Sequence, residues 1–181
     1  MADQQLPCLR RFITGHNHDG KAIFDTQLSD KMPTTNLTSY IFHLGYVTQG
    51  FPIEFASEVD IKTYQSYIKS PPGLALPGGS VLRFVDFPPG EGDMHRTFSI
   101  AYGIVLEGEM KLVLDSGESR LMKQGDVVIQ RGTVHQWVNV DTVKWARMVF
   151  ILQASKPVTV NGVELGEELP GRLGDEVRAS T

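Results

Sequence analysis

One cysteine, Cys8, is all the thiol the chain holds, so no internal disulfide can form and a reducing compartment suits it. No apolar run approaches the length a bilayer demands, and Met1 to Arg11 lacks the hydrophobic stretch of an export signal. Those two absences predict a cytoplasmic protein with no membrane partner. Positive charge is also scarce. Seventeen Lys and Arg against 21 Asp and Glu give a net charge of -4, which leaves no basic surface for a phosphate backbone and excludes nucleic acid as the expected partner. Gly90 and Gly92 make no phosphate loop, because neither a Lys-Ser/Thr pair nor a helix follows them. Repeats, low-complexity tracts and long helical periods are missing too.

What remains is a chain of 181 residues, 41% hydrophobic, enough for one domain with a substantial core. Its texture is short apolar runs broken by Gly, Pro and Asp. Ser39 to Thr48 reads as a strand, and Val59 to Lys69 as a short helix or an irregular loop. From Ser80 the strands come at regular spacing: Ser80–Phe87, Ile100–Glu107, Glu109–Asp115, Ser119–Met122, Val127–Gln130, His135–Val140 and Lys144–Leu152, with Val158–Val160 beyond. Such spacing predicts an all-β sandwich or barrel. His16-Asn17-His18-Asp19 has the composition of a metal loop, but the Asp19-Gly20 step marks it as a surface hairpin.

Two stretches stand out. The first runs Pro88-Pro89-Gly90-Glu91-Gly92-Asp93-Met94-His95-Arg96-Thr97 and continues as Ala101-Tyr102-Gly103-Ile104-Val105-Leu106-Glu107-Gly108-Glu109. The second is Gly125-Asp126-Val127-Val128-Ile129-Gln130-Arg131-Gly132-Thr133-Val134-His135-Gln136-Trp137-Val138-Asn139. Together they resemble the paired signature of the cupin superfamily, and in particular small cupins of secondary-metabolite pathways with an Arg-Gly-Thr-x-His second motif. The resemblance implies a double-stranded β-helix, the jelly-roll barrel, at residues 79–165, preceded by an extension of strands and loops at 1–78; the polar stretch at 166–181 reads as a mobile tail.

In cupins with a full site, the first motif supplies two histidines and a glutamate, and the second a third histidine. Aligned on Gly108, His95 and His135 hold the first and last of these positions, while Thr97 replaces the second histidine and Ala101 the glutamate. The resemblance thus implies half a ligand set, without its anion. Two neutral imidazoles hold a divalent ion weakly, so the expectation is either no cofactor or a loosely bound zinc, copper, iron or nickel, and no organic cofactor.

His95 and His135 are instead the candidate catalytic acid–base pair, since an imidazole titrates near neutrality. Thr97, Ser99 and Ala101 share the strand parity of His95, and Trp137 shares that of His135, so these side chains are expected to line a substrate pocket together with Met148. Arg83 and Asp86 lie on opposite faces of one strand, so at most one points inward. An inward Arg83 is a natural clamp for a carboxylate or phenolate. The expected function is a non-oxidative proton transfer (decarboxylation, dehydration or isomerisation) on a carbonyl or phenolic metabolite. A non-catalytic binding cupin and a metal-dependent dioxygenase with an unusual ligand set are the alternatives. A small molecule is the expected partner, and a homodimer the expected assembly.

Overall fold

A computed structural model describes residues 6–169 and 171–180. In chain order its strands are β1 (Ile13–His16), β2 (Ala22–Asp25), β3 (Thr34–Asn36), β4 (Ile41–Gln49), β5 (Gly79–Phe87), β6 (Gly90–Glu91), β7 (Ser99–Glu107), β8 (Met110–Leu114), β9 (Ser119–Met122), β10 (Val127–Arg131), β11 (His135–Asn139), β12 (Ala146–Ala154), β13 (Val158–Val160) and β14 (Val163–Leu165). Helix α1 spans Val59–Lys69 between β4 and β5, and α2 spans Gly171–Glu176 near the C-terminus. An antiparallel sheet in the order β10-β7-β12-β5-β4-β3 faces a second in the order β6-β11-β8-β9, while β1-β2 and β13-β14 form separate hairpins. This is the all-β jelly roll the sequence predicts. The hairpin of β1 and β2 turns on Asn17, whose Oδ1 accepts the amides of Asp19 and Lys21, so the His16–Asp19 stretch is a surface turn.

Between the sheets, strand alternation delivers one face of each strand to a common core. Val85, Ala101, Val105, Met110, Leu112, Trp137, Met148, Phe150 and Leu152 are all buried in it. Gly103 is a requirement of that packing. A Cβ there would lie 2.9 Å from Cε1 of Phe150, so the missing side chain is what lets the Phe150 ring lie across the strand.

Val59–Lys69 resolves as a helix because Ile61, Tyr64 and Ile68 recur at helical spacing and give it one apolar side. Tyr64 also donates its hydroxyl to the carbonyl of Leu44 at 2.7 Å, tying the helix to β4. Pro71 and Pro72 follow and end the helix, since the residue before a proline avoids the α region.

Asp86 points away from the core. Arg147 of β12 grips it with two hydrogen bonds, Nε to Oδ1 at 2.5 Å and Nη2 to Oδ2 at 2.7 Å, and His43 of β4 approaches Oδ2 through Nε2 at 3.1 Å. Thr34 of the edge strand contacts the other nitrogen of His43 at 3.0 Å, and Arg147 reaches on to the carbonyl of Pro7 at 2.8 Å. The network therefore fastens the N-terminal segment and two neighbouring strands to β5. Burial opposes ionisation of Asp86, but the hydrogen bonds from Arg147 and His43 outweigh it and hold its pKa below the usual carboxylate value.

Residues 166–181, expected to be a mobile tail, instead pack on the barrel through their described part. Glu168 pairs its backbone with Arg96, Leu173 is buried in the core, and Ser180 accepts the amide of Ala75. The sequence offered no period there because α2 has only six residues. Residues 1–5 of the expected extension, and 170 and 181 of the expected tail, lie outside the described residues.

Removing one member of a buried ion pair strands its partner, at a cost of about 3–5 kcal/mol. Asp86→Ala is expected to lower the urea unfolding free energy by about that much, whereas Asp30→Ala, which breaks an exposed pair with Arg10, should cost far less. Equal losses in the two variants would contradict this account.

Candidate active site

The two motifs meet at the histidines. The amide of His95 donates to the carbonyl of His135 at 2.9 Å, and the amide of His135 donates back to His95 at 2.9 Å. This antiparallel bridge sets the rings side by side, with centroids 4.3 Å apart and planes inclined at 53°. Each ring is locked from behind. Nδ1 of His95 lies 2.9 Å from the carbonyl of Asp93, and Nδ1 of His135 lies 2.9 Å from the carbonyl of Thr133. A carbonyl can only accept, so each Nδ1 carries the proton, and each neutral ring keeps its lone pair on Nε2. Neither Nε2 has a partner among the described residues, and both rings line one cavity.

Both imidazoles resist protonation. Burial pushes the pKa of His135 down to about 3, with added repulsion from His95. Burial also lowers that of His95, against the pull of the Asp93 carbonyl and of the Asp93 and Glu167 charges. At neutral pH the pair is therefore two bases.

The cavity is walled mainly by apolar and aromatic side chains. Tyr40, Phe42, Phe87, Trp137 and Phe150 supply rings, and Leu74 and Leu173 close it from the segment before β5 and from α2. Trp137 stands edge-on to both His135 (6.1 Å) and Phe150 (5.8 Å), linking the histidines to the opposite sheet. Gly92 is needed at the rim, because a Cβ there would collide with the hydroxyl of Tyr40, which accepts the amide of Asp93.

Of the expected pocket residues, Arg83, Thr97, Ala101 and Trp137 join the two histidines around the cavity. Ser99 and Met148 do not. The Ser99 hydroxyl lies 2.7 Å from that of Thr97, so it supports the wall from behind. Met148 faces the interior, but it is fully buried where Val105 and Met110 fill the core and no space is left beside it. The chain's other tryptophan, Trp145, lies in a separate surface groove with Pro7 and Glu109. The sequence reading missed Gln130, which is buried and lines the cavity with Nε2 unpartnered. Its signal was parity: a polar residue alternating with Val127 and Ile129. Those two apolar side chains are exposed, however, which inverts the usual reading of such a strand.

The donor set does not fit the four-ligand metal centre of a full cupin site. Thr97 and Ala101 stand at the cavity wall where an imidazole and a carboxylate would be needed, and no group of three or more His, Cys, Asp or Glu side chains converges among the described residues.

The depressed histidine pKa values have a thermodynamic consequence. The unfolded chain binds protons near pH 6.5, but the folded chain does not, so the folded state keeps full stability above that pH and loses it as the pH falls. His135 alone should cost about 2 kcal/mol at pH 5 relative to pH 7, at about 1.4 kcal/mol per pH unit. Urea unfolding of chelator-treated protein at both pH values would show the loss, and His135→Gln should reduce it. An undiminished loss in that variant would contradict the assignment.

Comparison with known proteins agrees with this architecture. The family profile described as "Cupin domain" matches residues 83–152. The chain is 50% identical over 169 residues to "Phomopsin biosynthesis cluster protein C'" of Diaporthe leptostromiformis, covering 91% of this chain and 89% of that protein. It is 40% identical over 172 residues to "Oryzines biosynthesis cluster protein J" of Aspergillus oryzae, with 93% and 96% covered. It is 41% identical over 162 residues to "Cupin-domain-containing oxidoreductase virC" of Hypocrea virens, with 87% and 81% covered. The chain belongs to the cupin family, and its relatives there include proteins of fungal secondary-metabolite clusters.

Proposed function

We propose that this cupin is a small-molecule enzyme of secondary metabolism that catalyses a proton transfer on a carbonyl or phenolic metabolite. The observation that carries this reading is the pair of neutral imidazoles, each with Nδ1 tied to a backbone carbonyl and Nε2 unpartnered at an apolar cavity. In the proposed step, a C–H bond beside the substrate carbonyl breaks. The proton passes to Nε2 of one ring, and the electron pair moves onto the carbonyl oxygen as an enolate. The second imidazole accepts a hydrogen bond from the ring that has gained the proton. Return of that proton to a different atom completes an isomerisation; its delivery to a departing hydroxide completes a dehydration as water leaves. The amide of Gln130 is a suitable donor to the developing oxyanion.

A buried base of low pKa is weak in the empty cavity, but the negative charge formed on the substrate would raise it at the moment of transfer. The word oxidoreductase in the name of virC describes that protein. Here the cavity offers two bases, a hydroxyl, an amide and a cation, which is equipment for moving protons.

His95→Gln and His135→Gln are each expected to lower kcat by ~10²–10⁴-fold on the native substrate, with a much smaller change in ligand affinity. Turnover unchanged in both variants, with binding retained, would replace the enzyme reading by that of a binding module. A second test restores the missing ligands. Thr97→His combined with Ala101→Glu should raise zinc affinity and depress turnover, because an ion would take the substrate's space. Turnover that instead rises with added metal would favour an oxygenase with a depleted site.

A further inference from the structure

The cavity contains a cation with nothing to balance it. Arg83 is 4% exposed. Its Nη2 donates to the carbonyl of Gly73 at 3.0 Å and reaches that of Pro72 at 3.4 Å, and its Cζ lies 4.8 Å from the ring centre of Phe42. Nη1 is buried and meets no acceptor. No carboxylate among the described residues pairs with it. Asp86, three residues along the same strand, faces the other way and is held by Arg147 and His43. Asp93, at the cavity rim, acts on His95. Burial lowers the guanidinium pKa only to about 10, so it stays charged at neutral pH. A ring face and two carbonyls compensate a buried cation only in part. A second buried donor, Nε2 of Gln130, is also unpartnered and lies on β10 opposite Ala101.

Arg83 and the histidines stand on facing walls. Arg83 pairs across the sheet with Phe150, whose ring meets Trp137, the neighbour of His135. Arg83, His95 and His135 line one cavity, so a single small molecule can meet both walls.

We propose that the substrate of this cavity is a small carboxylate that seats its anionic group on Nη1 of Arg83 and presents its far end to His95 and His135. The proposal rests on the proton-transfer reading and narrows it. The charge and the donor count select the anion. A phosphate needs more donors than one free Nη1 in an apolar wall, and a phenol arrives neutral, whereas a carboxylate arrives ionised and matches a guanidinium. The anchored carboxylate lies across the cavity from the bases, so it is not the group that reacts. Decarboxylation therefore leaves the set of candidate reactions, and isomerisation and dehydration stay. Binding energy from such a remote anchor is available to orient the reacting carbon.

The probes are acetate and benzoate, each paired with its neutral amide, acetamide and benzamide, titrated against tryptophan fluorescence in a Trp145→Phe background, which leaves Trp137 as the reporter. The wild-type protein should prefer the anion of each bound pair by at least about tenfold, the factor for one charge-assisted hydrogen bond. Arg83→Met should abolish the preference and Arg83→Lys should keep part of it. Absence of any preference in the wild-type protein overturns the proposal, as does its survival in Arg83→Met. Should Arg83→Met fail to fold, the wild-type comparison and Arg83→Lys decide. Failure here, with turnover still lost in the His95 and His135 variants, would remove the carboxylate and leave the proton transfer. An anion preference, with turnover intact in those variants, would do the reverse.

Discussion

The site hangs on a two-residue backbone bridge. His95 and His135 exchange amide-to-carbonyl hydrogen bonds across the join between the two motifs, and that exchange, continuing the pairing of β6 with β11, brings two imidazoles from distant parts of the chain to 4.3 Å. A bridge of this kind fixes Cα positions but leaves the rings free to rotate. The carbonyls of Asp93 and Thr133, each two residues before its histidine, remove that freedom and also choose the tautomer. The same local device is used twice, so the two rings present the same atom to the same space. The rest of the barrel buries His135 and most of His95, and that burial is what holds both rings neutral.

Polar groups are divided sharply between the two faces of the large sheet. Outside, Asp86 is saturated by Arg147 and His43, and the result is mechanical: strands and N-terminal segment held together. Inside, Arg83 and Gln130 keep unpartnered donors in a mainly apolar wall. Buried donors without acceptors lower stability, and folded proteins rarely keep them without a use. The cavity is closed by elements outside the barrel proper, among them Leu74 and Leu173, which makes the chain's flanks part of the site.

Most of the barrel was legible in the sequence because strand periodicity and the two motifs agree. Val158–Val160 and Val59–Lys69 match the structure residue for residue, though the second could be read as helix or loop until Tyr64 was seen to pack on β4. The short pieces escaped. β3, β6 and β14 have two or three residues each, too few to show a period, and β6 alone of the three pairs with a strand far along the chain, β11. Parity predicted that Thr97 and Ala101 reach the cavity, but it could not show that Ser99 is engaged by Thr97 or that Met148 sits where the core is already full. Gln130 was hidden because Val127 and Ile129, the apolar residues of its strand, face outward.

The central claim is that His95 and His135 are neutral, with hydrogen on Nδ1 and an open Nε2. Two-bond proton–nitrogen correlation spectra of ¹⁵N-histidine-labelled, chelator-treated protein at pH 7 report that state directly. The account predicts that both imidazoles show the Nδ1-H tautomer and that acidification to pH 5 leaves His135 unprotonated. A charged imidazolium at His135 at pH 7, or hydrogen on Nε2 of both rings, would contradict it.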